Sequence, residues 1–163
     1  MPFTMVRIDD RYIHGQVAVS WMVAIPAHVI YVVNDGVAND KMTCMVLEMA
    51  ASMHSQKLEI LGIEEGIKKL IEVSEYNENM WALFGNPQDV LTALKRGFII
   101  NRIILGFMHH TGNKKPIVKG AYVYVDDDDI NTFREIHASG VEIVYQRVPE
   151  ERPIDITKIL DKP

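Results

Sequence analysis

The run His28-Val29-Ile30-Tyr31-Val32-Val33 decides the fold. Its apolar residues follow one another without the alternation that a half-exposed strand would show. A strand of this kind buries side chains on both faces, which is typical of parallel sheets covered by helices on each side. The segments that flank the run should therefore be helices.

Helical patterns stand on both sides of this run. Before it, apolar residues recur at helical spacing through Gly15–Ile25, and Pro26 ends the pattern. After it, Val37–Met53 has the same spacing. We expect the side chain of Trp21 and the methionines of the second helix to lie in the core. Those methionines are Met42, Met45, Met49 and Met53.

Strand and helix patterns alternate along the rest of the chain. The other predicted strands are 4–8, 58–61, 80–84, 102–105, 121–125 and 141–145. Helical patterns follow most of them, and the pattern of residues 153–160 predicts a short helical segment. Regular alternation implies parallel strands joined by right-handed crossovers. We therefore predict an α/β fold with a single open, mainly parallel sheet and helices on both faces, forming one domain over residues 1–163.

Size, charge and cysteine content restrict the class of protein. The chain has 163 residues, enough for one apolar core, and a net charge of −5, so we expect no nucleic-acid partner. Cys44 is alone, which excludes an internal disulfide and a zinc-type cysteine site and fits a reducing cytosol. No apolar stretch is long enough to span a membrane, and we expect no signal peptide.

A charged segment follows the first predicted strand, where open parallel sheets bind ligands. It combines a histidine, carboxylates and arginines just before a helix start, in the order Arg7-Ile8-Asp9-Asp10-Arg11-Tyr12-Ile13-His14-Gly15-Gln16. Neutral imidazole is a nucleophile near physiological pH, and a carboxylate from either aspartate could fix its tautomer. The arginines and the helix N-terminus suit an anion, and glycine gives clearance. From the residues alone, a salt-bridged turn explains the same pattern.

This segment, continued by Val17, resembles the active-site signature of the B components of the mannose, fructose and sorbose family of sugar phosphotransferase systems. Val33–Asp40, Gly140–Ile143 and Val148-Pro149 resemble further parts of that family. The resemblance implies a cytoplasmic phosphotransferase whose His14 accepts a phosphoryl group at Nδ1 from a phosphohistidine of the A component. It then donates the group to a hexose or amino sugar held by the membrane C and D components.

The resemblance also assigns roles around His14. It implies that Arg11 stabilises the transferring group, that Asp9 and Asp10 orient the imidazole, and that no metal or organic cofactor takes part. The residues expected to bind the phosphoryl group are Arg7, Arg11, Gly15 and Gln16.

The sequence departs from the family pattern at two places, of which we expect the first to be harmless and the second to leave open the sugar and the details of the phosphate pocket. Tyr12 stands where leucine or phenylalanine is usual, and Ile104–Met108 replaces a loop of the type Asn-Val-Gly-Gly-Met. N-acetylgalactosamine systems belong to the same wider family. Two other readings compete: a non-catalytic phosphate- or nucleotide-binding module, although no Gly-rich phosphate loop is present, and a regulatory homologue.

Charged segments elsewhere have plainer interpretations. Asp126–Asp129 is interpreted as a helix cap rather than a cation site. His109 and His110 are adjacent and make a poor metal pair, so we expect a solvated loop or a pocket-lining or docking role. Lys114, Lys115 and Lys119 suit equally well a solvated charge cluster or the steering of an acidic partner or phosphate.

Overall fold

The computed structural model describes residues 3–161, except for the side chains of residues 16 and 17. The strands are β1 (Phe3–Asp9), β2 (Val29–Val33), β3 (Lys57–Leu61), β4 (Met80–Phe84), β5 (Arg102–Phe107), β6 (Lys115–Pro116), β7 (Tyr124–Val125), β8 (Glu142–Tyr145) and β9 (Ile154–Asp155). The helices are α1 (Gly15–Ala24), α2 (Asp35–Ala38), α3 (Lys41–Met53), α4 (Ile63–Val73), α5 (Pro87–Lys95), α6 (Asp127–Ala138) and α7 (Thr157–Leu160).

Seven strands form one sheet in the order β3-β2-β4-β1-β5-β8-β9. All neighbouring strands are parallel except β8 and β9, which pair antiparallel. The chain builds the β2–β4 side of the sheet first and then crosses β1 to add β5 and β8. The carboxyl end of β1 therefore lies where the winding reverses, and open α/β sheets have a ligand crevice at such a point.

Strand β2 shows why the sheet is covered on both faces. Ile30 and Val32 lie in an apolar cluster with residues of α1 and α3, whereas Tyr31 and Val33 lie in a second cluster with residues of α4. Each fully buried Val or Ile side chain contributes about 1.5–3 kcal/mol relative to an exposed one. The predicted α/β fold with helices on both faces of a mainly parallel sheet is confirmed. The assignment of residues 1–163 to one domain stays a prediction.

The methionines of α3 do not lie in the core, and this prediction was wrong. Trp21 is buried as expected, but Met42, Met45, Met49 and Met53 are between 65% and 75% exposed. The helix instead buries a stripe that contains Leu47 and Ala51. Because Leu47 and Ala51 occupy the face that packs against the sheet, the methionine stripe faces outward.

Two further predictions at the carboxyl-terminal side need correction. The predicted strand 121–125 is reduced to β7, which pairs antiparallel with β6 outside the main sheet. Tyr122 and Tyr124 form backbone hydrogen bonds with Met108, the residue directly after β5. The segment therefore pairs with the chain beyond the end of β5 and adds no strand to the main sheet. Only Thr157–Leu160 of the predicted segment 153–160 is helical, because Ile154–Asp155 pairs with β8.

Candidate functional site

The turn after β1 brings the charged residues together. The backbone N–H of Tyr12 donates to the carbonyl of Asp9 at 2.9 Å, and Tyr12 adopts a left-handed φ of 59°. The N–H of Asp10 donates to the carbonyl of Phe107 and so ties the turn to the end of β5. Helix α1 then starts at Gly15 with His14 as its N-cap. The turn thus returns His14 to the carboxyl end of β1.

Asp9 is the centre of this arrangement. Its side chain is fully buried, and its Oδ2 lies 3.2 Å from Nε2 of His14 and 3.5 Å from Nη2 of Arg7. Its Oδ1 accepts the backbone N–H of Arg11 at 3.0 Å. Burial alone would raise the pKa of Asp9, but the His14 hydrogen bond and the Arg7 charge outweigh it, and the pKa lies below its usual value. Asp9 is therefore a carboxylate at neutral pH.

The Asp9 contact determines which nitrogen of His14 can react. A carboxylate only accepts hydrogen bonds, so a neutral imidazole must donate its proton from Nε2. Nδ1 then carries the lone pair, and no hydrogen bond reaches it from residues 3–161, the undescribed side chains of residues 16 and 17 set aside. The side chain of His14 is 23% exposed. The arrangement presents a nucleophilic nitrogen in an accessible place.

Arg11 contacts the same Asp9 carboxylate as His14, through the other oxygen, and is an available cation. Its guanidinium carbon is 3.7 Å from the centroid of the Phe107 ring, and its Nε is 3.5 Å from Oδ1 of Asp9. Within the part of the chain that the structure describes, its two Nη groups have no hydrogen-bond partner. The aromatic face thus holds the guanidinium in place without consuming its donors.

Arg7 is held differently from the sequence expectation of a phosphate ligand. Its side chain is 4% exposed, and its Nη1 and Nη2 donate to the carbonyls of Gln146 and Arg147 at 2.8 and 3.0 Å. Burial lowers its pKa to about 10, so it is still charged at neutral pH. The guanidinium passes so close to Gly106 that a Cβ there would clash with Nη2. In this geometry Arg7 faces Asp9 and the backbone.

The remaining predicted site residues take separate positions. Asp10 faces His109 instead of His14: its Oδ2 accepts the backbone N–H of His109 at 2.8 Å, and its Oδ1 lies 2.7 Å from the ring Nδ1 outside hydrogen-bond geometry. Gly15 opens α1 with a φ of 46° and open space beyond its Cα. The side chain of Gln16, expected to bind phosphate, lies outside the described residues.

Comparisons with known proteins identify the family of this chain. Residues 3–163 match the sequence model of the family described as the PTS system sorbose subfamily IIB component. The chain belongs to this family. It is thus a IIB component of a sugar-transport phosphotransferase system, as the signature segment predicted.

Relatives and a solved structure cover nearly the whole chain. The sorbose-specific EIIB component of Klebsiella pneumoniae is 34% identical over 99% of this chain and 95% of its own length. The N-acetylgalactosamine-specific phosphotransferase enzyme IIB component 2 of Escherichia coli K12 is 34% identical, over 94% and 96%. The crystal structure of the IIBSor domain of the sorbose permease from Klebsiella pneumoniae superposes with a TM-score of 0.90 at 32% identity, over 99% and 97%.

A cleft opens next to Arg11 in this IIB chain, and sequence reasoning missed most of it. Its volume is about 410 Å³, and its walls are Arg11, Gly106, Phe107, Tyr122, Arg147, Val148 and Glu151. The last three follow the carboxyl end of β8, which lies beside β5 in the sheet. Their place after a parallel strand was the available signal, since ligands bind at those ends.

The other charged segments behave mainly as structural elements. The acidic run forms the predicted cap, in which Asp126 and Asp129 make a reciprocal capping box at the start of α6. Although Asp126, Asp128 and Asp129 cluster, Lys114 already lies 3.0 Å from Asp129, so the lysine supplies the cation there. His110 packs edge-on against Tyr124. No helix within residues 3–161 has the length and apolar character needed to cross a bilayer.

Proposed function

We propose that His14 carries the phosphoryl group. In this reaction it takes the group from a phosphohistidine of an A component and passes it to a hexose or amino sugar presented by membrane C and D components. The observation that carries the proposal is the contact of buried, ionised Asp9 with Nε2 of His14, which leaves Nδ1 as the nucleophile, while Arg11 contacts the other oxygen of the same carboxylate. The protein would act at the cytoplasmic side of the membrane, where such partners meet it.

The first transfer is a displacement at phosphorus. The Nδ1 lone pair of His14 forms a bond to phosphorus while the bond between phosphorus and the donor histidine breaks. His14 keeps its Nε2 proton, so the phosphorylated ring is cationic and the donor leaves as a neutral imidazole. The carboxylate of Asp9 stabilises that cation, much as a buried carboxylate stabilises an imidazolium in other enzymes.

Arg11 and the start of α1 support the phosphoryl oxygens. Each charge-assisted hydrogen bond contributes about 1.5–3 kcal/mol, and a helix N-terminus adds about 0.3–2 kcal/mol. The first turn of α1 contains no acidic residue, and the His14 side chain does not cap it, so its N–H groups are left for an anion. These contributions hold a phosphoryl group without a metal, yet they are small enough for release.

In the second transfer a sugar hydroxyl oxygen attacks phosphorus, the bond to Nδ1 breaks, and the proton of the hydroxyl is released to water. His14 leaves as a neutral imidazole because Asp9 has kept the proton on Nε2. A ring that had lost this proton would leave as an imidazolate, which is a much poorer leaving group. Arg7 then acts as a positioning residue, since it holds Asp9 and the backbone of Gln146 and Arg147.

A phosphorylation assay tests this proposal. The protein is incubated with phosphoenolpyruvate, the general phosphotransferase proteins and a cognate A component, and acid-labile, base-stable phosphate is measured. We expect one phosphate on the native chain, none on His14→Ala, and undiminished labelling of the control His54→Ala, which alters a histidine at the far end of α3. Two-dimensional ¹⁵N NMR should place the phosphate on Nδ1.

Three results would contradict the proposal. Label that persists in His14→Ala would move the phosphate elsewhere, and label on Nε2 would contradict the role of Asp9. A native chain that binds phosphate or nucleotide but is never labelled would favour the alternative of a non-catalytic binding module.

A further inference from the structure

The cleft beside Arg11 is larger than a phosphoryl group requires. Its volume of about 410 Å³ lies in the range of about 300–1,000 Å³ that small-molecule sites occupy. It begins at Arg11, whose Nε and backbone N–H both contact the Asp9 carboxylate that holds His14. Because Arg11 is also the proposed ligand of the phosphoryl oxygens, a molecule in this cleft would share that side chain with the phosphoryl group.

The walls of the cleft combine apolar faces with planar polar groups. Tyr122 is 47% exposed and, with Val148, provides an apolar surface. Arg147 and Glu151 pair through hydrogen bonds to both carboxylate oxygens and offer donors and acceptors at the rim. Sugars need this combination, because their C–H faces pack on aromatic rings while neighbouring hydroxyls hydrogen-bond to guanidinium and carboxylate groups.

The cleft is also rigid before any ligand arrives. The backbone N–H of Tyr122 donates to the hydroxyl of Tyr145 at 3.1 Å, and the guanidinium of Arg147 lies 5.2 Å from the Tyr122 ring centroid. The carbonyl of Arg147 accepts hydrogen bonds from Arg7 and Trp21. A preformed wall of this kind costs little ordering entropy on binding.

We propose that the cleft is a subsite for the sugar moiety of the phosphoryl acceptor. The sugar ring would lie against Tyr122 and Val148, its hydroxyls would meet Arg147 and Glu151, and its phosphorylated oxygen would point to Arg11 and His14. The IIB chain then contributes a wall to the sugar site during the second transfer. This inference rests on the proposed function, since it requires a phosphoryl group on His14.

The reaction product offers a direct test, because a sugar phosphate spans both the cleft and the phosphoryl site. The full chain, labelled with ¹⁵N, is titrated with ketohexose 1-phosphates and N-acetylhexosamine 6-phosphates, and in parallel with inorganic phosphate. We expect saturable shifts at Tyr122 and Val148 with at least one sugar phosphate. That ligand should bind at least about tenfold more tightly than inorganic phosphate, whose shifts should be confined to Arg11 and the start of α1.

Exposed variants locate the binding energy without disturbing the fold. Tyr122→Ala keeps the backbone bond to Tyr145 and should weaken sugar phosphate binding roughly three- to tenfold. Arg147→Gln should weaken it about tenfold or more. The matched control Arg152→Gln removes an exposed arginine of the same loop and should leave binding unchanged. Thermal melting of each variant verifies that it is folded.

The outcomes separate this inference from the proposed function. If no sugar phosphate binds, or if every one binds with the affinity and footprint of inorganic phosphate, the subsite is refuted. It is also refuted if only the A component shifts Tyr122 and Val148. When the same preparation is labelled on His14 in the phosphorylation assay, such a result leaves the proposed function standing. A preparation that binds no sugar phosphate and is not labelled overturns both.

Discussion

Replacing Asp9 by asparagine should damage phosphoryl transfer far more than its small change in shape suggests. Asn conserves the volume of the buried side chain but removes the negative charge of the carboxylate, whose Oδ2 accepts the hydrogen bond from Nε2–H of His14 at 3.2 Å. Loss of a charge-assisted hydrogen bond of about 1.5–3 kcal/mol corresponds to roughly 10–150-fold in rate. That is the smaller of two effects.

The larger effect concerns the tautomer. If the Asn amide turns its NH₂ toward His14, it donates to Nε2, and the ring proton moves to Nδ1, the nitrogen that should attack. A carboxylate-to-amide change that imposes the wrong tautomer costs about 10⁴-fold in a serine protease. We therefore expect single-turnover labelling of Asp9→Asn by a phosphorylated A component to be slower by about 10²–10⁴-fold.

The same substitution should also reduce stability, because it removes the buried anion near Arg7. Breaking a buried ion pair costs about 3–5 kcal/mol; the two carbonyls that also bind Arg7 should keep the loss toward the lower end, measured by urea unfolding. The control is Asp10→Asn, which alters the neighbouring carboxylate that faces His109 and should slow labelling by less than about tenfold. A folded Asp9→Asn chain labelled within threefold of the native rate, or one whose ¹⁵N NMR shows the proton still on Nε2, would refute the reasoning.

Four further predictions concern Arg11, Gly106, the packing of α3 and the pH dependence of stability. Arg11→Ala should slow labelling by about 10–100-fold while changing the free energy of unfolding by less than about 1.5 kcal/mol, since the side chain is partly exposed. A loss of stability large enough to account for the slower labelling would contradict the role of Arg11. Gly106→Ala should cost about 1–3 kcal/mol of stability and also slow labelling, because the new Cβ meets the buried guanidinium behind Asp9; calorimetry of Gly106→Ala beside the exposed Gly112→Ala measures this. Met49→Gln should change the free energy of unfolding by no more than about 0.5 kcal/mol, whereas Leu47→Ala should lower it by about 2–5 kcal/mol. If urea unfolding showed the larger loss for Met49→Gln, the methionines would lie in the core after all. Because the pKa of Asp9 is lowered in the folded chain, its contribution to stability is present above about pH 4, the pKa in the unfolded chain, and is lost as the pH falls through the folded pKa. Asp9→Asn should remove that part of the pH dependence of the free energy of unfolding, and an unchanged pH profile would count against this role of Asp9.

Local pattern was sufficient where the determining forces act between neighbours in sequence. The apolar run of β2 indicated burial on both faces, because alternate side chains of a strand necessarily point to opposite sides. The acidic start of α6 indicated a cap, because a helix leaves its first N–H groups unpaired. The order of strands and helices indicated a mainly parallel sheet, and the charged segment after β1 indicated the place of the site.

Pattern was insufficient where two choices have equal local energy. Periodicity placed the methionines of α3 on one stripe, but it could not say which stripe would face the sheet. Likewise, Asp9 ends β1 and Asp10 follows it, and strand alternation only sends their side chains in different directions. The fold decides that Asp9 points to His14 and that Asp10 points to His109.

The sequence by itself therefore determined the kind of fold, the family signature and the residue on which the proposed chemistry depends. Only the tertiary structure decided that Arg7 lies behind Asp9, that Arg11 rests on Phe107, and that a cleft continues from there to Arg147. These contacts join residues as many as 140 positions apart in the chain. Their geometry follows from the order and register of β1, β5 and β8, and no local pattern encodes the distance between strand ends that meet only when the sheet forms.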